Sequence, residues 1–182
     1  MFNYIRNLIT GDNKRENWAA LALLIGAGIA LLASLVLSVE SLEIAKKPDV
    51  VLGCDLNAVV SCGGVARHWS ASLLGFPNAF IGLMALPVMV TIGVALLAGT
   101  KFPRWFMFAA QIGVSVGFIF ALWMFYMSFV EIGVLCPWCL TLDVGMLLIL
   151  LGNTCIKLEK SISSRMALSS LTGSSLSISL LM

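Results

Sequence analysis

The amino-acid sequence predicts an all-α integral membrane protein: a four-transmembrane-helix bundle with a short interfacial half-helix in its first extracytoplasmic loop. The composition is the first reason, because hydrophobic residues make up 60% of the chain and charged residues only 11%, which is far from the balance of a soluble domain. The second reason is that the apolar residues form runs of about 20 or more, the length that crosses a bilayer. The net charge of +2 is too small to indicate a nucleic-acid partner.

The predicted spans follow the uncharged runs of the chain. The run from Trp18 to Val39 is longer than the apolar region of a cleaved signal peptide, about 7–15 residues, so we expect a retained first span. The uncharged stretch after it, 69–100, exceeds one span, and Pro77 interrupts it because a proline disfavours helical geometry in the preceding residue. The predicted elements are the half-helix at 65–74 and spans at about 18–39, 78–98, 105–130 and 135–156.

These spans divide the chain into three parts. Residues 1–17 form a short polar N-terminus, residues 18–156 form the membrane domain with one sizeable loop at 40–75, and residues 157–182 form a Ser-rich tail. The tail has too many serines for a fifth span. We therefore expect it to be disordered or loosely bound to the membrane surface.

The basic residues indicate which way the chain crosses the membrane. With four spans, both termini and the turn at 99–104 lie on one side, and the loop 40–75 lies on the other. The loop side carries three of the 11 Lys and Arg residues, namely Lys46, Lys47 and Arg67, and the other side carries the remaining eight. Because basic residues are enriched on the cytoplasmic side, both termini and the tail are predicted to be cytoplasmic.

The motif Leu135-Cys136-Pro137-Trp138-Cys139 stands at the start of the fourth span. Proline suits the first turn of a helix, where backbone N–H groups have no intrahelical partner. The positive end of the helix macrodipole favours a thiolate there. The two cysteines are three residues apart and share a helix face, and Cys139 is one turn deeper. A pair in this position can pass two electrons between an aqueous partner and a lipid-soluble one.

A second pair, Cys54 and Cys62, lies in the loop on the same predicted side. Thiol–disulfide exchange needs only that a thiolate reach a sulfur, so the loop pair can relay electrons between an outside protein and the helix pair. Two other readings stay open: a disulfide that only staples the loop, and a zinc site with His68 as a spare ligand, although structural zinc sites favour close spacing in both halves. Cys155 is predicted to be reduced and to fill apolar space.

These motifs together resemble the vitamin K epoxide reductase (VKOR) family, in its bacterial branch. The resemblance covers about residues 18–156 and implies a four-helix bundle around a quinone, menaquinone or ubiquinone, with the half-helix capping the pocket. The matching residues are Cys54-Asp55 with Val60-Ser61-Cys62, then Trp69, then Gly75-Phe76-Pro77-Asn78-Ala79-Phe80-Ile81-Gly82, and finally Cys136-Pro137-Trp138-Cys139.

The resemblance also implies roles for individual residues and partners. Cys139 is expected to act on the quinone and Cys136 to exchange with the catalytic loop cysteines. Asn78 is expected to hydrogen-bond a quinone carbonyl, with Phe80 and Trp69 as further quinone-binding residues. Bacterial members oxidise a secreted thioredoxin-fold protein of the DsbA kind and reduce quinone, which supports disulfide bond formation at the bacterial plasma membrane. No metal is expected.

Two positions depart from the family's pattern. Asp143 stands where members often carry an aromatic residue, one turn below Cys139 on the same face. A carboxyl group is costly in lipid, so we expect it to face the bundle interior, either as a proton relay to the quinone site, which makes it a candidate quinone-site residue, or as a neutral, hydrogen-bonded core acid. Ala66-Arg67-His68 precedes Trp69, where the family tends to carry Ser or Thr; His68 is either a base for a thiol or idle.

Two competing interpretations make different predictions. DsbB is also a four-span, quinone-coupled thiol oxidase, but its Cys-x-x-Cys pair precedes its loop pair, whereas the order here is reversed. The second interpretation is a non-catalytic membrane module with a structural or zinc-binding cysteine cluster.

Many bacterial VKOR-like proteins carry a fused thioredoxin domain. This chain has no room for one, so the partner is expected to be a separate protein.

Overall fold

The computed structural model describes residues 14–57 and 59–179, and its side chains are described at 15–57 and 59–158. The expectations for residues 1–13 and 180–182 lie outside the described residues. The helices are α1 (Lys14–Lys46), α2 (Cys62–Ala66), α3 (Ala79–Leu97), α4 (Arg104–Tyr126) and α5 (Pro137–Ser179). Four of them, α1, α3, α4 and α5, are long and apolar enough to cross a membrane. The prediction of an all-α, four-span bundle is confirmed, and the protein is a multi-pass membrane protein.

Helix α1 is the centre of the bundle, because it packs against both α5 and α3, while α4 packs against α5. Small residues allow the closest approach. A Cβ on Gly26 would lie 2.7 Å from the carbonyl oxygen of Gly145, and a Cβ on Gly145 would lie 2.8 Å from that of Gly26. Helices in lipid associate largely through such close van der Waals packing. Leu23 and Ile149 fill the core beside this contact and are fully buried.

The end of α1 differs from the prediction of a span over 18–39. The helix continues to Lys46 and stops before Pro48, so part of the predicted loop 40–75 is helical. The physical reason is tertiary packing: Leu37 and Ile44, two turns apart on one face, both pack against the cysteine-bearing loop. This extension carries Glu40 on a rigid helix beside the loop.

The predicted half-helix at 65–74 is present but consists of two shorter pieces. Helix α2 (Cys62–Ala66) begins at an N-cap Ser61, whose hydroxyl oxygen accepts a hydrogen bond from the Gly64 N–H. A 3-10 turn, Trp69–Ser72, follows, and its N-cap is His68 in extended geometry. The bounds 65–74 were therefore wrong, because the extended backbone of His68 interrupts the helix.

The fourth span also has different bounds from the predicted 135–156. A π-helical turn, Met127–Ile132, ends α4 at Gly133, whose φ of 72° is in the left-handed region that glycine tolerates. Helix α5 then begins at Pro137 rather than at 135, because Leu135 pairs with the loop. Its backbone stays helical to Ser179, so the prediction of a disordered tail is wrong for residues 157–179, while the alternative, a tail loosely bound to the membrane surface, stays a prediction.

Candidate active site

A short backbone clip joins the loop to the segment just before α5. Val60 and Leu135 form an isolated parallel bridge. The Leu135 N–H donates to the Val59 carbonyl oxygen at 2.8 Å, and the Ser61 N–H donates to the Leu135 carbonyl oxygen at 3.1 Å. Cys62 follows Ser61 and Cys136 follows Leu135, so the clip brings these two cysteines side by side.

The four predicted redox cysteines are gathered at this point. Cys54 and Cys62 form a disulfide, while Cys136 and Cys139 are free thiols. The Sγ atom of Cys136 lies 3.3 Å from Sγ of Cys62. Both of these cysteines are 1% exposed, and they lie in a small apolar cluster separate from the main core. The arrangement is suited to exchange of a disulfide between the two pairs, shielded from bulk water.

Cys136 immediately precedes the first residue of α5, and its sulfur accepts hydrogen bonds from the start of that helix. The Cys139 backbone N–H lies 3.4 Å from the Cys136 sulfur. The pKa of the Cys136 thiol is lowered, first by the hydrogen bond from the Cys139 thiol and also by the backbone N–H groups of Cys139 and Trp138. These effects outweigh burial and the nearby charge of Glu40, which act in the opposite direction. A lowered thiol pKa holds more of the sulfur as the reactive thiolate.

Asp55 holds the loop in the shape that presents the disulfide. Its Oδ1 accepts hydrogen bonds from the Ser61 hydroxyl at 2.7 Å and the Gly63 N–H at 2.9 Å, and its Oδ2 accepts one from the Leu52 N–H at 3.0 Å. Desolvation raises the pKa of this carboxyl group, but these hydrogen bonds and the charge of Arg67 outweigh it, and the pKa of Asp55 is lowered overall. Asp55 is therefore a charged brace within the loop.

A cavity of about 660 Å³ opens beside the cysteines, within the range typical of ligand pockets. It runs between α1, α3, α4 and α5 and reaches Phe106, near the opposite end of the bundle. Most of its lining is apolar. The lining at the cysteine end includes sulfur and polar groups from Cys62, Cys136, Cys139, Asn78 and Asp143.

Comparison with known proteins agrees with this geometry. The model of the vitamin K epoxide reductase family matches residues 21–154, from the first span to the fourth. The chain belongs to this family. No curated protein matches the chain. The protein is therefore a membrane thiol oxidoreductase of the vitamin K epoxide reductase family, whose members in general use a quinone as the electron acceptor.

Only two of the four predicted quinone-site residues line the cavity. Asn78 and Asp143 line the cavity, whereas Trp69 and Phe80 are not among its lining residues in the described part of the chain. Trp69 is 61% exposed, and its ring packs edge-on against Trp123, with ring centroids 6.3 Å apart. A quinone contact stays a prediction for all four residues.

Asn78 has a structural task that its position in the motif does not reveal. Its side-chain amide donates to the Ser70 carbonyl oxygen at 2.7 Å, and its carbonyl oxygen accepts from the Leu73 N–H at 3.2 Å. The amide nitrogen also faces the Met124 sulfur at 3.8 Å. Thioether sulfur is a weak acceptor, so the N–H on that side has only this weak acceptor among the described residues.

The structure gives His68 a capping role in the loop and places Cys155 at the surface of α5. The His68 Nδ1 atom lies 2.8 Å from the Ser70 hydroxyl and accepts from the Ser70 N–H, so the ring caps the 3-10 turn. Cys155 is exposed on α5, so the prediction that it fills apolar space inside the bundle is wrong. Its side chain lies on the outer surface of the helix.

One group of side chains has the composition of a metal site. The ligand atoms of Glu40, Cys54 and Cys62 all lie within 4.8 Å of one another. Zinc binds cysteine as the thiolate, and in this state the disulfide occupies both sulfurs. The zinc interpretation therefore requires the loop disulfide to be reduced first.

Two features of the site were missed by sequence reasoning. The clip through Val60 and Leu135 has no local signature, since the two segments are far apart in the chain. Glu40 falls within the predicted loop 40–75 and was not singled out, but its Oε1 atom lies 3.1 Å from Sγ of Cys54. The available signal was its position, as the first charged residue after the apolar run that ends at Val39.

Proposed function

We propose that this protein is a quinone-dependent, disulfide-generating oxidoreductase that passes electrons from a secreted thioredoxin-fold protein, DsbA-like, to a membrane quinone. The observation that carries the proposal is the 3.3 Å contact between the sulfurs of Cys62 and Cys136. It joins the loop pair to the helix pair at the rim of an apolar cavity. A staple alone does not require a free thiol against its disulfide.

Electrons enter at the loop pair. The loop disulfide has a more exposed member, Cys54 at 8%, and a less exposed one, Cys62 at 1%. A thiolate of the partner attacks Cys54, and the partner's second thiol then completes reduction of the loop to two thiols. The partner is released in its disulfide form, having lost two electrons to the loop.

Transfer to the helix pair follows in two exchanges. The Cys62 thiolate attacks Cys136 of an oxidised Cys136–Cys139 pair, forming a Cys62–Cys136 disulfide and releasing Cys139 as thiolate. Cys54 then attacks Cys62, re-forming the loop disulfide and releasing Cys136 as thiolate. The described state, with the loop pair oxidised and the helix pair reduced, corresponds to the end of this transfer.

The cavity is the proposed site of quinone reduction. Cys139 lies in α5 at the cavity wall, next to Cys136 and one turn above Asp143. In this proposal the Asn78 amide donates a hydrogen bond to a quinone carbonyl that gains charge on reduction. Asp143, which lines the same cavity, is the proposed proton relay. Two electrons and two protons convert the quinone to a quinol as the Cys136–Cys139 disulfide re-forms.

The proposed location is the bacterial plasma membrane, with all four redox cysteines on the extracytoplasmic side. The asymmetry of basic residues supports this orientation. The extracytoplasmic side is also where disulfides form and persist. A secreted thioredoxin-fold protein meets the loop there without crossing the membrane.

The test is purified protein in detergent, mixed with a reduced thioredoxin-fold dithiol and a soluble quinone. We expect quinone reduction coupled to disulfide formation in the dithiol, and its loss in the Cys54→Ser, Cys62→Ser, Cys136→Ser and Cys139→Ser variants. The Cys155→Ser variant is the matched control and should keep full activity. Stoichiometric zinc in the reduced protein with no quinone turnover would instead support the alternative, a non-catalytic module with a zinc-binding cysteine cluster.

A further inference from the structure

Glu40 is a carboxyl group that the relay above does not use, although it touches one of the reacting sulfurs. It lies near the end of α1, and its Oε1 atom is 3.1 Å from Sγ of Cys54. Its Oε2 atom is buried and has no hydrogen-bond partner within the described part of the chain. A buried oxygen without a partner is costly, so this carboxyl group has a reason to be there other than loop stability.

The interaction between Cys54 and Glu40 depends on the redox state of the loop. In the disulfide, the Cys54 sulfur carries no hydrogen and cannot donate to the carboxyl group. In a reduced loop, a Cys54 thiol at this separation can donate an S–H···O hydrogen bond to Oε1. Cys54 needs to lose that proton before it can attack, because the thiolate is the nucleophile.

The charges around Glu40 decide where that proton goes. Asp55 in the loop and Glu43 on the same helix act on Glu40 electrostatically, and Glu40 in turn acts on Cys136 and Cys139 of the helix pair. All of these neighbours are acidic groups or thiols. Loss of the Cys54 proton to water would leave two anions in contact, whereas transfer to Glu40 leaves one negative charge in a partly buried site.

We propose that Glu40 is a catalytic base that takes the thiol proton of Cys54 as the loop disulfide re-forms; this assignment rests on the proposed function. The step starts from the Cys62–Cys136 disulfide, the Cys54 thiol and the Glu40 carboxylate. The Cys54–Cys62 bond forms, the Cys62–Cys136 bond breaks, and Cys136 leaves with the electron pair as thiolate. The proton ends on Glu40, and the two electrons of the loop have moved to the helix pair.

The expected effect follows from the acidity of a free thiol. An unperturbed cysteine has a pKa of about 8.5, so only a few per cent is thiolate at neutral pH. A positioned general base contributes about 10²–10⁴-fold. Loss of Glu40 should therefore slow turnover at least about tenfold at pH 7, and the loss should shrink above about pH 9, where the thiol ionises without help.

The experiment compares Glu40→Gln with Glu131→Gln, a matched change to an exposed glutamate in the π-helical turn after α4. Turnover with a reduced thioredoxin-fold dithiol and a soluble quinone is measured from pH 6 to about pH 10. Samples are quenched with acid and alkylated, and the Cys62–Cys136 bond is quantified by peptide mapping. We expect Glu40→Gln alone to accumulate this bond with Cys54 alkylated, and to regain the control rate at high pH.

Two further variants keep the result decisive. Glu40→Asp retains a carboxylate and should recover part of the rate that Glu40→Gln loses; its failure to do so in folded protein would count against a base. Cys54→Ser tests the relay itself. If Cys54→Ser traps the Cys62–Cys136 bond while Glu40→Gln behaves like Glu131→Gln at every pH, only the role of Glu40 is overturned. If no variant forms that bond, the proposed relay is overturned with it.

Discussion

The sulfur atoms of Cys62 and Cys136 are 3.3 Å apart although 74 residues separate them in the chain. Cys62 is the buried member of the loop disulfide, and Cys136 is the cysteine that precedes α5. In the proposed relay, this contact makes the inner cysteine of the loop and the outer cysteine of the helix pair the exchanging sulfurs. Sequence reasoning could not choose between Cys54 and Cys62 for this role.

This relationship predicts which single mutants trap a cross-link. Cys54→Ser should accumulate the Cys62–Cys136 disulfide in cells, because no thiol remains to attack Cys62 and resolve it. Cys62→Ser should give much less of a Cys54–Cys136 bond, since Cys54 has no comparable contact with Cys136 in the structure. Non-reducing peptide mapping measures both. A dominant Cys54–Cys136 bond, or no bond between the pairs in either variant, contradicts the assignment.

The lowered pKa of Cys136 predicts how its reactivity depends on pH. Cys136 should remain partly thiolate below the ordinary thiol range, which centres near pH 8.5. Cys139→Ala removes the largest cause, the thiol hydrogen bond, so the pH midpoint for alkylation of Cys136 should move upward. The measurement is the alkylation rate against pH, made in a Cys155→Ser background to remove the exposed cysteine. An unchanged midpoint would show that Cys139 does not tune Cys136.

The lowered pKa of Asp55 predicts that the loop is less stable in acid. Its pKa is lowered in the folded protein, so its contribution to stability is present above the unfolded pKa, about 3.9, and is lost as the pH falls through the folded pKa. Hydrogen-exchange protection of the Leu52 and Gly63 amides should fall in that acid range. Asp55→Asn should reduce their protection at neutral pH and remove the acid step, whereas the exposed Asp49→Asn should change neither.

The proposed role of Asn78 predicts that its loss slows quinone reduction but leaves disulfide exchange between the cysteine pairs intact. Asn78→Ala should lower quinone turnover by about fivefold, because one hydrogen bond contributes roughly 1 kcal/mol and a factor of ten requires about 1.4 kcal/mol. The Cys62–Cys136 bond should still form in an Asn78→Ala, Cys54→Ser double variant, and Thr91→Ala, an exposed change on the same helix, is the control. Equal loss of both steps would show that the bonds from Asn78 to Ser70 and Leu73 matter more than a ligand contact.

The proposed orientation is tested by placing new cysteines on opposite sides of the membrane. Asp49→Cys lies in the loop that holds the disulfide, and Thr100→Cys lies in the turn between α3 and α4; both positions are exposed. In a Cys155→Ser background, an impermeant maleimide should label the first in intact cells and the second only after permeabilisation. The opposite pattern would invert the topology.

The sequence alone determined the architecture of this protein, because membrane spans are a local property. A run of apolar residues long enough for the bilayer has to satisfy its own backbone hydrogen bonds as a helix. The four spans follow from that rule, and the break at Pro77 follows from the geometry that proline imposes on the preceding residue. The motif order was enough to indicate the family, which the match over residues 21–154 confirms.

The tertiary structure decided which sulfurs meet and what surrounds them. The approach of Cys62 to Cys136 depends on the clip between Val60 and Leu135, and the contact of Glu40 with Cys54 depends on the continuation of α1 to Lys46. These are contacts between segments distant in the chain. Their free energy comes from packing and from backbone pairing that forms only after the helices associate, so no local pattern of residues encodes them.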